Sequence, residues 1–490
     1  MTMKKTLTAI LAIAFVFVGL GLGQATHPDQ LKYPGLKFDP PDPKAFRTEY
    51  ANGLRAYVQE DRSLPLFNIT ALINFGGLYM AKDKAGLERI MSDAYIRGGT
   101  RTRDGDAIEE RIDFLGGSLA FNVGERTSTL SLSVLSKDLD EGLALFFDVL
   151  MNPAFREEAF KLSRARLIEQ LRQANDQPAS VLSREYEKLL YGEHPLTWQA
   201  TRATYENVAV ADLKAVHDKH FFPKNIILAA SGDFRKSDLK VRIDKAVSGW
   251  KNRTLSLPAF SKDFQAPEPG VYFIQRAINQ GYVSLGHLGI EETHPDFFAV
   301  QVMNFILGGG SFTSRITTKV RSDEGLSYNQ GSRFTTRWGF PGTFSGYVQT
   351  KSSTVGYAIS LILDEFRRIR EERVTDGEME TAINYYLESF AGQFEMPQSV
   401  MQSFATLEMQ GKPMDYYKTY RSKIEAVTKE RVLDAARKYV HPDKAGILIV
   451  GDWEPCNEGG DKWPGPLEKL GKVRRITLTD PLTGQEIKTP

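Results

Sequence analysis

Residues 206–234, ENVAVADLKAVHDKHFFPKNIILAASGDF, line up with residues 425–453, EAVTKERVLDAARKYVHPDKAGILIVGDW. An internal repeat of this length constrains the fold strongly, because each copy must be the same supersecondary unit and must find a core of its own. Both copies read as a helix, a proline-containing turn, an apolar strand and a Gly-Asp end. The helical parts carry apolar residues at spacings of three and four (Val210, Leu213, Val216; Val432, Ala435, Ala436). The strands at 226–230 and 445–450 are apolar throughout, as strands covered on both faces are. Two α/β halves are expected.

The stretch 253–270 holds three prolines and no hydrophobic period, so it reads as a linker between halves at 40–252 and 271–453. Within the first half, 54–61 and 66–76 read as strands, 86–98 and 105–116 as helices, and 127–135 as an alternating strand. Segments 138–151 and 156–175 read as helices. The tail at 454–490 is rich in Gly, Pro and charge and receives no function.

At the N-terminus, Lys4 and Lys5 precede an apolar run at 7–22 and small residues near Gly23 and Ala25. This pattern predicts a signal peptide at 1–25, export to the periplasm and no stable membrane anchor after its removal. The formal charge is +1, and loss of Lys4 and Lys5 leaves −1, so no electrostatic bias toward nucleic acid or anionic lipid exists. The single cysteine, Cys456, rules out an intramolecular disulfide.

Several short matches occur in a fixed order. They are Gly86-Leu87 with Gly99-Thr100, Leu115-Gly116-Gly117, Asn152-Pro153-x-Phe155, Tyr191-Gly192-x-His194-Pro195, Phe222-Pro223-x-Asn225 and Gly232-Asp233. In the second half, His294-Pro295-Asp296 leads into MNFILGGGSFTSRI (303–316) and VRSDEGLSYNQGS (320–332). Together they resemble the pitrilysin and insulin-degrading enzyme family of inverted zinc peptidases, in particular bacterial relatives of mitochondrial processing peptidase, over roughly residues 45–453. The resemblance implies an α+β fold of two homologous halves, each an antiparallel-rich sheet packed with helices, arranged as a clamshell around a chamber.

The metal chemistry departs from that family. Its H-x-x-E-H motif places two imidazoles four residues apart on one helical face with a carboxylate beside them. The equivalent positions here, counted back from Gly99-Thr100, are Ile90, Asp93 and Ala94, and the later glutamate ligand falls at Gln170 beside Glu169. Isoleucine and alanine offer no lone pair, so no metal and no cofactor is expected in this chain. Arg321 and Tyr328 survive, at the spacing with which the family's second half reaches a zinc site and stabilises the oxyanion; taken singly, each would read as a surface cation and a packing residue.

The resemblance implies the non-metal-binding subunit of a heterodimer, whose related partner bears zinc and receives Arg321 and Tyr328. Extended peptide or unfolded protein is the implied substrate, with the glycine-rich loop Gly308, Gly309, Gly310 and an edge strand around Phe121 and Asn122 as binding elements. A catalytically silent scaffold of the same fold is the alternative. The Gly308–Ser311 run lacks the Lys-Ser/Thr of a phosphate loop. His217 and His220, three apart, read as a solvated helical face, and Glu88 with Asp93 as surface carboxylates.

Overall fold

Six short segments of the first half build one sheet, namely β1 (Arg47–Glu49), β2 (Arg55–Glu60), β3 (Leu66–Ile73), β4 (Ser118–Val123), β5 (Ser128–Leu135) and β6 (Ile226–Gly232). The computed structural model describes residues 38–487; the expected signal peptide at 1–25 lies outside them. The strands run in the order β1-β2-β6-β3-β5-β4, with β2 and β6 parallel and the remaining neighbours antiparallel. Strand β6 sits centrally and every residue of it is buried, which is why its sequence does not alternate.

The second half repeats this plan with β7 (Gly270–Gln275), β8 (Gln280–Leu288), β9 (Asn329–Phe334), β10 (Thr343–Lys351) and β11 (Gly446–Gly451). Its order is β7-β11-β8-β10-β9, with β11 in the place of β6, parallel to β7, and the pairs β11-β8, β8-β10 and β10-β9 antiparallel. The sixth strand, Val473–Arg475, comes from the tail and lies parallel to β7. The tail that carried no sequence signal therefore completes the second sheet. The expectation of an α+β protein built from two homologous halves is borne out, and the helices Leu87–Arg97, Gly105–Phe114, Leu139–Met151 and Glu157–Gln170 form where periodicity placed them.

Each sheet packs one face on helices of its own half. The opposite face is covered by a helix from the other half. Helix Pro397–Met409 lays Val400, Met401, Phe404 and Ala405 onto Tyr57, Leu72, Ile227 and Ala229 of the first sheet. Helix Pro178–Tyr191 lays Val181, Tyr186 and Leu190 against Ile274, Leu448 and Val450 of the second. Burying each large side chain contributes on the order of 1.5–3 kcal/mol, so each exchanged helix stabilises a sheet to which it is not adjacent in sequence. Polar ties reinforce the exchange: Glu408 accepts from Arg47, Arg55 and Tyr57, and Gln398 donates to Thr70.

Residues of both halves, including Leu72, Arg126, Tyr186, Arg333, Tyr347 and Met409, line a cavity of about 700 Å³ between the sheets. No helix among the described residues is long and apolar enough to cross a membrane.

Candidate functional site

The helix expected to carry a metal, Leu87–Arg97, starts at Gly86 in the left-handed region (φ +98°), where a Cβ would stand 2.4 Å from the Tyr205 ring. The Glu88 carboxylate, its pKa raised by burial, accepts from the Gly86 N–H and so serves the start of its own helix. Ile90 and Ala94, one turn apart, face the hydrophobic core and are 0% and 1% exposed. Asp93 forms an ion pair with Arg166 of helix Glu157–Gln170, so a guanidinium stands where a cation would bridge the two helices. Gln170 is exposed at the end of that helix, and Glu169 pairs with Arg172 at 2.8 Å. Zinc does not fit here, because the donor set consists of one carboxylate already neutralised by arginine. Among the described residues no group of three or more His, Cys, Asp and Glu side chains could hold a metal ion.

The expectation of a solvated face for His217 and His220 is overturned. Their spacing does put both on one face of helix Val210–His220, but that face points inward. His217 reaches the Leu150 carbonyl at 3.0 Å, and His220, 2% exposed, lies 4.7 Å from the Phe75 ring. Burial holds both imidazoles below their usual pKa, His220 at about 4.

Strand β4 is the outer strand of the first sheet, as a peptide-accepting edge must be. Phe121 is nonetheless a core residue, 4% exposed and stacked 3.8 Å from the Tyr95 ring, so its side chain is closed to a substrate. Residues alternate across a strand, and Asn122 faces solvent. The Val123 N–H already donates to Ser92.

The features singled out in the second half converge instead. Gly308, Gly309, Arg321 and Tyr328 line one cavity of about 550 Å³ with Asn304, Phe312, Asn329 and Arg333. Helix Phe297–Asn304 passes into a π-helical turn at Phe305–Gly309, and a second π-helical turn, Thr318–Asp323, carries Arg321. Such turns are rare and frequent at functional sites. Between them Ser311 holds φ +51°, an uncommon conformation for a residue with a side chain.

The Arg321 guanidinium lies 4.5 Å from the Phe312 ring centroid and 5.1 Å from that of Tyr328. Both rings are open to solvent, Tyr328 at 88%. A large aromatic so exposed is not a packing residue. Gly308 serves the chain's own backbone: a Cβ there would meet the Ser332 nitrogen of β9 at 2.3 Å. Gly310 backs onto Phe305 and stays out of the cavity lining. Phe312 and Arg333 also line the cavity, and no motif of its own marks either in the sequence. Arg333 lies on β9, immediately after the Arg/Tyr segment, and Phe312 inside the glycine-rich one, so closeness in sequence to those two segments was the available signal.

Comparison with known proteins places the fold. The model for insulinase (peptidase family M16) matches residues 58–202, and that for the peptidase M16 inactive domain matches residues 207–386. The chain is 22% identical over 458 residues to the non-peptidase homolog YmxG of Helicobacter pylori, spanning 92% of this chain and 99% of the relative. It is 21% identical over 403 residues to an uncharacterized zinc protease of Bacillus subtilis, spanning 81% and 96%. The crystal structure of a peptidase M16 inactive domain from Pseudomonas fluorescens shares the fold, with a TM-score of 0.73 at 24% identity, covering 83% of this chain and 97% of that one. With both domains in tandem, the chain belongs to peptidase family M16, as a member whose metal-ligand positions hold residues that bind no metal.

Proposed function

We propose that this chain is the non-metal-binding subunit of a heterodimeric M16 endopeptidase, presenting Arg321 and Tyr328 to a zinc site on a related partner. The chain itself is a catalytically inactive M16-fold protein, since Ile90 and Ala94 cannot ligate and Asp93 is taken by Arg166. The observation that carries the proposal is the Phe312–Arg321–Tyr328 stack, a cation lining a cavity, held between two exposed rings and without a hydrogen-bond or ion-pair partner among the described residues. Attack on a peptide carbonyl builds negative charge on oxygen, and a preorganised guanidinium and phenol stabilise it. Extended peptide or unfolded protein is the substrate, and an exported, periplasmic location, drawn from the apolar run at 7–22, is part of the same proposal.

Co-expression with a zinc-bearing M16 chain from the same source tests it. Arg321→Ala should lower peptide hydrolysis by roughly 10²–10³-fold with the complex still assembling on size exclusion. Unchanged hydrolysis by an intact complex rejects the reading. It would leave the second one, a catalytically silent scaffold of the same fold.

A further inference from the structure

We propose that the cavity beside Arg321 is a carboxylate site, in which Arg321 and Arg333 together hold an acidic segment of peptide. The lining contains these two arginines and no aspartate or glutamate. Neither guanidinium makes a hydrogen bond or an ion pair among the described residues. Arginines close by in sequence behave otherwise: Arg337 is neutralised by Glu125 and Glu187, and Arg315 by Glu378. The acids nearest in sequence, Asp323 and Glu324, pair with Lys319 and Lys462 and are not part of the lining. Two cations sharing a cavity without an acid create a standing attraction for an anion.

Aromatic rings hold both groups. Arg321 stacks on Phe312 and Tyr328, and Arg333 on Tyr347 at 4.7 Å. A stacked guanidinium keeps its N–H edge free, and that edge matches the two oxygens of a carboxylate. Because the rings restrict the side chains beforehand, less rotamer entropy is lost when the anion arrives.

Two features identify the anion as part of a peptide. The rest of the lining offers amides and hydroxyls at Asn304, Asn329, Gln330 and Ser332, which suit peptide N–H and C=O groups. Asn329, Arg333, Thr335 and Tyr347 also line the cavity of about 700 Å³ between the halves, so the two spaces adjoin along β9 and accommodate an elongated ligand. The proposal names a substrate class for the site assigned above and rests on that reading only in placing peptide at Arg321.

The test uses the isolated full chain, so a failure here is separable from failure of the heterodimer. Fluorescence anisotropy would compare three short labelled peptides of one backbone sequence: acidic with a free C-terminus, acidic with a C-terminal amide, and neutral with a C-terminal amide. The first should bind and the third should not. Retention by the second assigns the site to side-chain carboxylates, and loss assigns it to the C-terminal carboxylate. Arg333→Gln and Arg321→Gln should each weaken binding roughly tenfold to a hundredfold, the range for a charge-assisted pair. Arg333→Lys, which keeps the charge but not the fork, should fall between, and it decides the matter if the glutamine variant fails to fold by circular dichroism. Equal affinity for the neutral peptide, wild-type affinity in both arginine variants, or equal binding of inorganic phosphate alone would overturn the proposal.

Discussion

His220 should make the protein acid-labile in a calculable way. It is 2% exposed beside Phe75 and Tyr79, and its Nδ1 has no hydrogen-bond partner among the described residues. Burial, with Lys219 adding to it, lowers the pKa from 6.5 to about 4. The unfolded chain therefore takes up a proton first as pH falls, and stability is intact above pH 6.5 and lost between there and pH 4. One pKa unit is worth about 1.4 kcal/mol, so the loss reaches about 2 kcal/mol at pH 5 and about 3 kcal/mol below pH 4. Phenylalanine suits this aromatic site and does not titrate. Guanidinium unfolding followed by tryptophan fluorescence from pH 7.5 to 4.5 should show the stability gap between His220→Phe and wild type widening by about 2–3 kcal/mol in the variant's favour. Any overpacking by the larger ring shifts both ends of the series equally. Parallel pH profiles would refute the assignment of a buried, neutral imidazole.

Two further outcomes follow from packing. Burial opposes ionisation of Glu408, but hydrogen bonds from Arg47 and Tyr57 pull its carboxyl below the usual range, so Glu408→Gln should cost about 2–4 kcal/mol at pH 7 in chemical unfolding. That penalty should shrink as pH falls through the carboxylate range, since a lowered pKa stabilises only above it. Gly308→Ala puts a methyl group 2.3 Å from the Ser332 nitrogen and should lower stability by about 1–3 kcal/mol in thermal melts.

The repeat made the two sheets legible, because a helix–turn–strand copied at 206–234 and 425–453 had to end in equivalent central strands, and β6 and β11 are those strands. The lost metal site was legible too, since Ile90 and Ala94 lack donors whatever surrounds them. What period alone conceals is the partner of a buried face. The apolar stripe of Pro397–Met409 says that something covers it and not that the first sheet does. The same ambiguity produced the error at His217 and His220, whose inward direction depends on Phe75 and Leu150 arriving from elsewhere in the chain. Which side chain of that edge strand stays open was hidden for a related reason: in SLAFNV the alternation is weak, and the ring's stacking on Tyr95 puts Phe121 on the core face and leaves Asn122 outside. Arg333 and Phe312 joined the site only when two π-helical turns brought separate segments to one cavity.

The exchanged helices make the tandem arrangement inseparable. A gene fragment ending in the stretch before β7 would encode a sheet with one apolar face bare, and a fragment beginning there would lack Val181, Tyr186 and Leu190 for its own. Each piece carries the cover of the other's sheet, so the two are complementary parts of one packed unit, closer to a split protein than to beads on a string.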